Sequence, residues 1–205
     1  PWGTFVPTPA VSAARAEVKA EAELVNAATS ERRFTLRAEL IAADGQVVAT
    51  RDTPARLRAG ERRTLAQALV VDKPRRWSLQ TPQLYQLRQT VLVEGKPVDQ
   101  TTTPFGIRSF RFDANNGFTL NGQPLKLKGV CLHHDAGSLG AAVPVSVLER
   151  RLRQLKDIGI NAIRTSHNPP APELLDLADR LGLLVQAEAF DEFTPTKNKW
   201  IDGWN

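Results

Sequence analysis

Three histidines are the only imidazole side chains in these 205 residues, and each follows a short apolar run. His133 and His134 come after the run 125–130, and His167 comes after the run 160–164. If both runs are parallel strands, their carboxyl ends bring the imidazoles to one rim of a sheet, where α/β folds bind their ligands. Imidazole can donate or accept a hydrogen bond, transfer a proton or bind a metal. The spacing therefore predicts a functional site at that rim.

Other polar side chains lie close to the same strand ends. Alternate side chains of an extended strand share a face, so we expect His133 and Asp135 to point one way and His134 the other, as a structural residue. A third apolar run, 183–187, ends directly before a glutamate. Simpler explanations stay open. A histidine after a strand can have no role other than a hydrogen bond to the backbone, and Arg164 can serve only to neutralise Glu188. The predicted members of the rim are His133, Asp135, Arg164, His167 and Glu188.

Four residues near the end of the chain are weaker candidates. Asp191 and Glu192 follow Phe190 in a predicted loop, where solvated acidic residues are common. Trp200 and Trp204 can stack on the face of a sugar ring or pack beneath a loop. Both a functional and a structural explanation stay open for all four.

The sequence argues against several other chemistries. Adjacent His133 and His134 diverge on a strand, whereas a zinc site needs ligands that converge, so the residues predict no metal site. The sequence has no Gly-rich loop between a strand and a helix, which argues against phosphate chemistry. It also has no Gly-x-Ser-x-Gly turn, which argues against serine hydrolysis. The single cysteine, Cys131, excludes an internal disulfide and is predicted to be an inert buried thiol.

The bulk composition favours a globular protein without a nucleic-acid or membrane partner. The net charge of +5 is dominated by arginines, and those within 51–76 alternate with apolar residues, which is typical of solvated strands and loops. No apolar run reaches the length of a membrane span, and no signal-peptide pattern opens the chain. Because the chain begins with Pro1 and contains no methionine, the cellular compartment stays open.

Up to about residue 110, apolar residues recur at every second position. The segment 34–40 alternates apolar and polar side chains in this way, as a half-buried strand does. Asp44-Gly45 then supplies the residues of a tight hairpin turn. Further strand-like runs lie at 11–25, 46–50, 65–71 and 84–93. The pattern predicts an antiparallel β-sandwich of roughly immunoglobulin size over 10–110, without the inter-sheet disulfide.

After residue 110 a helical period takes over, following a small hairpin around 118–120. A stripe of leucines and one isoleucine over 148–158 predicts one helix, and 172–181 predicts a second. With the three apolar runs, the order strand, helix, strand, helix, strand favours parallel strands within 111–205. A parallel sheet needs both faces covered, so we expect the natural protein to continue beyond Asn205.

Four segments carry a resemblance through almost the whole chain. They are WSLQTPQLY at 77–85, FGIR at 105–108, GFTLNGQPLKLKGVCLHHD at 117–135 and RTSHNP at 164–169. In this order they resemble glycoside hydrolase family 2, the family of β-galactosidases, β-glucuronidases and β-mannosidases. The resemblance implies three domains. These are the tail of a sugar-binding-like sandwich at 1–9, an immunoglobulin-like β-sandwich at 10–110, and the first three strands of a TIM barrel at 111–205.

The resemblance implies part of a retaining exo-β-glycosidase, with β-galactosides as the expected substrates. In such enzymes one glutamate is the general acid/base and a second, about 5 Å away, forms a glycosyl-enzyme. The resemblance places both after the fourth and seventh barrel strands, beyond Asn205. Glu188 is then neither of them, and we expect residues 1–205 alone to be inactive. Two alternatives stay open: a non-catalytic carbohydrate-binding or scaffolding protein with this fold, and a metal-dependent hydrolase.

The resemblance also implies roles for the rim. Arg164 matches an arginine beside the nucleophile, which favours the ionised nucleophile, and Glu188 is expected to support the site. The sequence departs from the common family pattern at Cys131-Leu132 and at Ala187, which leaves the choice among the three sugars open. Three residues match side chains that hydrogen-bond sugar hydroxyls: His133, Asp135 and His167.

Cofactors and partners follow from the same resemblance. No cofactor is predicted, although some β-galactosidases of the family use magnesium and sodium ions, for which Glu192 is one positional candidate. The expected partner is a β-linked carbohydrate. A homo-oligomer is compatible with the resemblance, because the sandwich helps set subunit contacts in many members.

Overall fold

The computed structural model describes residues 3–190, and the chain divides into two compact units. The first unit ends at Leu125 and the second begins at Lys126. Antiparallel strands build the first unit, whereas parallel strands and helices build the second. The predicted change from a two-residue period to a helical period is confirmed.

Two antiparallel sheets pack face to face in the first unit. One contains β1 (Thr4–Phe5), β2 (Ala10–Val11), β3 (Arg15–Val25) and β6 (Arg62–Asp72). The other contains, in spatial order, β5 (Val47–Leu57), β4 (Arg32–Ile41), β7 (Tyr85–Val93) and β8 (Lys96–Phe105). Alternate side chains of β3 and β4 are buried because one face of each sheet covers the other. The sandwich core therefore forms without a disulfide.

The predicted turn at Asp44-Gly45 joins β4 to β5. Gly45 has a φ of 85°, which glycine adopts without steric penalty. The Asp44 carboxylate accepts a hydrogen bond from the main-chain N–H of Gln46 at 3.1 Å. A second turn of positive φ, at Glu94 and Gly95, joins β7 to β8. Periodicity did not predict β8, because this threonine-rich edge strand is exposed over most of its length.

The run 11–25, predicted as one strand, is two strands. The Ser12 N–H donates to the Arg15 carbonyl at 2.8 Å, and the Ser12 hydroxyl accepts from the Arg15 N–H at 3.0 Å. This turn folds β2 back on β3. The two alanines inside the turn made the run look continuous, so the prediction was wrong here.

A small three-stranded sheet follows the sandwich in the same unit. It consists of β9 (Phe110–Asp113), β10 (Gly117–Leu120) and β11 (Gln123–Pro124). Main-chain hydrogen bonds from Asn116 and Asn115 to the Asp113 carboxylate close its first turn and hold the pKa of Asp113 below its ordinary value. The hairpin predicted around 118–120 is confirmed, and the domain boundary after residue 110 stays a prediction.

The second unit has the predicted alternation of strands and helices. Its strands are β12 (Gly129–His133), β13 (Ala162–Ser166) and β14 (Leu184–Ala187), which pair in that order and in parallel. Its α-helices are α1 (Val145–Asp157) and α2 (Pro172–Leu181). Gly182 ends α2 in the left-handed conformation, and its N–H bonds to the Ala178 carbonyl.

The two faces of this parallel sheet differ. Ile163 and Leu183 of the strand side pack with Leu148 and Leu152 of α1 and with leucines of α2. The other face carries the alternate side chains, among them Cys131, which is exposed. The prediction of a buried Cys131 is therefore wrong. The strand continues past the apolar run, and its alternation turns this thiol away from the helices.

Leu152 tests the apolar layer between the helices and the sheet. It is fully buried, so Leu152→Ala removes packed methyl groups and should lower the free energy of unfolding by about 2–5 kcal/mol. Leu175→Ala is the matched control, because this leucine of α2 is 39% exposed and should change it by less than about 1 kcal/mol. Urea denaturation followed by circular dichroism measures both. Equal losses would contradict the described layer.

Candidate functional site

The parallel register brings the predicted site residues to the carboxyl ends of three neighbouring strands. His133 of β12 lies opposite Ser166 of β13, and Arg164 of β13 lies between Cys131 and Gln186 on its two neighbours. His167 follows β13 directly, through a cis peptide bond from Ser166. The prediction that the strand ends meet at one rim is confirmed.

Glu188, one residue after β14, joins two of these side chains. One carboxylate oxygen forms an ion pair with Nη2 of Arg164, and the other lies 2.8 Å from Nδ1 of His167. The main-chain N–H of Glu188 donates to Oγ1 of Thr165 at 3.1 Å. Three separate contacts therefore tie the start of the loop after β14 to β13 and to the residue that follows it.

The charge state of Glu188 follows from these contacts. Partial burial alone would raise the pKa of its carboxyl. The hydrogen bonds with His167 and Arg164 and the charge of Arg164 lower that pKa by more than burial raises it. The net effect is a pKa below the ordinary value. Glu188 is accordingly an anion at neutral pH, and it accepts hydrogen bonds on both oxygens.

The rings of His133 and His167 lie side by side at this rim. Their centroids are 5.5 Å apart and their planes are nearly perpendicular, at 86°. His133 is exposed, and about a third of the His167 side chain is exposed. Two imidazoles with solvent-facing edges can bind a polar ligand placed above the strand ends.

Arg164 has two contacts that sequence reasoning missed. Its Nη1 lies 3.5 Å from Sγ of Cys131 and 3.4 Å from Oγ of Ser166. Hydrogen bonds from Ser166 and Arg164 lower the pKa of the Cys131 thiol, and contacts with Cys131 and Glu188 raise the pKa of Arg164. The signal was available, because Cys131 stands two residues before His133 and so shares its face.

Asp135 and His134 lie apart from this group of contacts. The strand ends at His133, so its alternation does not determine where Asp135 points. The main-chain carbonyl of Asp135 accepts a hydrogen bond from Nη1 of Arg151 at 3.1 Å. With His133, both residues line an open cavity of about 440 Å³ near the amino end of α1. A role for Asp135 in binding stays a prediction.

Four candidate site residues from the sequence lie outside the described residues 3–190: Asp191, Glu192, Trp200 and Trp204. Within the described range, no three His, Cys, Asp or Glu side chains are grouped to hold a metal ion. No helix of that range is both long enough and apolar enough to cross a bilayer.

Comparison with known proteins decides the family. Residues 3–108 match the family described as glycosyl hydrolases family 2, and residues 113–200 match the TIM barrel domain of the same family. The chain belongs to glycosyl hydrolase family 2. The predicted fold class of this chain is confirmed, an immunoglobulin-like β-sandwich followed by the start of a TIM barrel.

Three relatives illustrate the similarity. A β-galactosidase of Bacteroides ovatus is 45% identical over 196 residues, which are 96% of this chain and 23% of that protein. A family 2 member from Bacteroides cellulosilyticus is 40% identical, with a TM-score of 0.92 over 97% of this chain and 26% of the other. A β-glucuronidase of Bacteroides uniformis, solved covalently bound to cyclophellitol-6-carboxylate aziridine, is 33% identical, with a TM-score of 0.87 over 95% of this chain and 24% of its own. The chain thus spans about a quarter of the length of these family 2 proteins.

Glu188→Gln tests the ionic contacts of this rim. Because the pKa of Glu188 is lowered in the folded protein, its contribution to stability is complete above the unfolded value of about 4.3 and is lost as the pH falls through the folded value. We expect the variant to unfold at a lower temperature than wild type at pH 7, and the difference to be smaller at a pH below that unfolded value. Glu17→Gln, at an exposed position of β3, is the control. A difference that is the same at both pH values would contradict the assignment.

Proposed function

We propose that this chain is part of a retaining exo-β-glycosidase that hydrolyses terminal β-linked sugars, with β-galactosides as its substrates. The observation that carries the proposal is the rim at which Glu188 joins Arg164 and His167 beside His133. This rim lies at the carboxyl ends of parallel strands, where TIM-barrel enzymes bind substrate. The sequence resemblance matches two residues of this rim, His133 and His167, to family residues that hydrogen-bond sugar hydroxyls, which supports the assignment.

In the proposed mechanism, residues 1–205 bind the sugar, and two glutamates outside this range carry out the chemical steps. In a retaining enzyme one glutamate attacks the anomeric carbon and the other protonates the leaving oxygen, then activates water. We place both outside residues 1–205, so this chain supplies no catalytic carboxylate. Its part is to bind sugar hydroxyls through His133, His167 and Asp135. Such bonds accelerate the reaction when they strengthen as the ring flattens toward the transition state.

Arg164 has a second part in this proposal. A guanidinium stays protonated at every working pH and favours the ionised form of a nearby carboxylate. Its Nη1 and Nη2 already contact Ser166 and Glu188, which fix the plane of the guanidinium. We propose that the fixed guanidinium also lies beside the nucleophile, which needs its negative charge for attack.

The charge balance of the rim supports a neutral sugar. A glucuronide brings a carboxylate, which is bound best by an arginine or lysine that it can pair with directly. Here the charge of Arg164 is already matched by Glu188. The β-galactosidase relative, at 45% identity, points in the same direction. β-Glucuronidases among the relatives make aryl β-glucuronides the necessary comparison substrates.

His167→Ala in the intact protein that carries this chain tests the function. We expect kcat/KM for an aryl β-galactoside to fall by about a hundredfold, because a hydrogen bond that strengthens in the transition state is lost. Glu149→Gln, in an exposed ion pair with Arg153 on α1, is the control, and it should change kcat/KM by less than about threefold. Thermal unfolding should change far less than kcat/KM does in His167→Ala.

Three results would overturn parts of the proposal. An intact protein that binds galactosides without hydrolysing them would favour the binding or scaffolding alternative. A higher kcat/KM for the aryl β-glucuronide would overturn the choice of sugar. If residues 1–205 alone hydrolysed the galactoside, and Glu188→Gln left that activity in place, our assignment of the catalytic pair to positions beyond Asn205 would be wrong.

A further inference from the structure

We infer that one end of the β-sandwich is a binding surface for an acidic polysaccharide, separate from the rim of the parallel strands. The surface consists of six exposed arginines, which we call the arginine cluster. Its members are Arg32, Arg33, Arg56, Arg58, Arg62 and Arg63. The inference uses the family membership of the chain and does not rest on the proposed substrate.

The strand register brings arginines of both sheets to the same end of the sandwich. Arg33 of β4 is the cross-strand partner of Arg56 of β5. The guanidinium of Arg63, in β6 of the other sheet, donates a hydrogen bond to the main-chain carbonyl of Arg56. Arg32 and Arg62 are the first residues of β4 and β6. Alternation along a single strand predicts that such side chains are solvated, but it does not predict that they meet.

A buried asparagine holds the backbone that carries the cluster. Nδ2 of Asn26 lies 2.9 Å from the main-chain carbonyl oxygen of Ser30 and 3.0 Å from those of Leu57 and Arg58. The main-chain N–H of Asn26 donates to the Glu61 carbonyl at 3.0 Å. Asn26 itself is only 8% exposed. The loop before β4 and the turn between β5 and β6 are therefore tied together, which lowers the entropy lost when the surface binds a ligand.

Glutamates neutralise only part of the cluster. Three of its guanidinium groups have a carboxylate within 4.0 Å, namely those of Arg56, Arg62 and Arg63. Ion pairs exposed in this way contribute little to stability, so an incoming anion can replace them. Within the described residues 3–190, no carboxylate lies within that distance of the other three, which belong to Arg32, Arg33 and Arg58. The surface therefore keeps an excess of positive charge.

The pairing of Arg33 with Arg56 opposes folding rather than supporting it. Side chains directly opposite each other on antiparallel strands share a face, and like charges placed in this way destabilise the sheet. Both residues are exposed, so no burial of their side chains offsets the repulsion. A bound anion removes the repulsion, because both guanidinium groups can then pair with it.

The chemistry of the surface fits an acidic polysaccharide. Guanidinium groups bind carboxylates and similar oxyanions through two parallel hydrogen bonds. Cross-strand neighbours about 5 Å apart can contact acidic groups that recur along an extended chain. The chain belongs to a family of glycosyl hydrolases, which act on carbohydrates. Single-stranded nucleic acid fits less well, because its binding surfaces add aromatic side chains that stack on bases. The segments 26–33 and 56–63 contain no aromatic residue.

Binding of the intact protein to dextran sulfate, with uncharged dextran as the reference polymer, tests the inference. The double variant Arg33→Gln with Arg58→Gln removes two charges from the cluster. Arg15→Gln with Arg150→Gln is the matched control, which removes two charges from exposed positions elsewhere. Biolayer interferometry measures the dissociation constants. We expect binding to weaken by about tenfold or more in the cluster variant, because charge-assisted hydrogen bonds are lost. The control should weaken it by less than about threefold, because salt screens distant charges.

Thermal unfolding separates a binding role from a folding role. Arg33→Gln alone should leave Tm unchanged or raise it, because it removes one of two opposed like charges. A lower Tm would contradict the assignment of this arginine to binding. Equal weakening in the two double variants, or no preference of wild type for dextran sulfate over dextran, would overturn the surface. Tighter binding to single-stranded DNA or to phosphatidylglycerol vesicles at the same salt would overturn the class of partner. Because none of these measurements involves hydrolysis, the inference and the proposed function can fail separately.

Discussion

The carboxylate of Glu188 is the constraint around which the rim is organised. Its two oxygens hold Arg164 and His167, and its main-chain N–H bonds to Thr165. These contacts join the end of β14 to the end of β13. Without an anion between them, the guanidinium and the imidazole would lose the partner that orients both. The Glu188 carboxylate thus fixes the geometry of the guanidinium and the imidazole at this rim.

This constraint depends in turn on the parallel register beneath it. Arg164 pairs with Gln186 across β13 and β14, and Thr165 pairs with Ala187, so Glu188 is the next residue to emerge from the sheet. The register is secured on the opposite face, where apolar side chains of the strands pack under α1 and α2. A one-residue slip would exchange the polar and apolar faces. The buried layer therefore positions the polar rim, although it contributes no side chain to it.

Most of the elements, and the meeting of polar residues at the strand ends, could be predicted from the sequence, and the failures have physical causes. Glycines such as Gly182 ended helices where expected. The exposed strand β8 was missed because periodicity detects a strand only through a buried face. Cys131 was misplaced because the apolar run ended before the strand did. The bridge through Glu188 depends on distances between the ends of β13 and β14, which alternation within a single strand cannot supply.

A crystal structure of the intact protein with a β-galactoside-derived inhibitor is the most direct test that this chain supplies the binding wall of the site. We predict sugar hydroxyls within hydrogen-bond distance of His133 and His167. We also predict that Glu188 keeps its contacts with Arg164 and with Nδ1 of His167 and does not contact the anomeric carbon. A ligand bound away from the two histidines, or Glu188 in contact with the anomeric carbon, would contradict it.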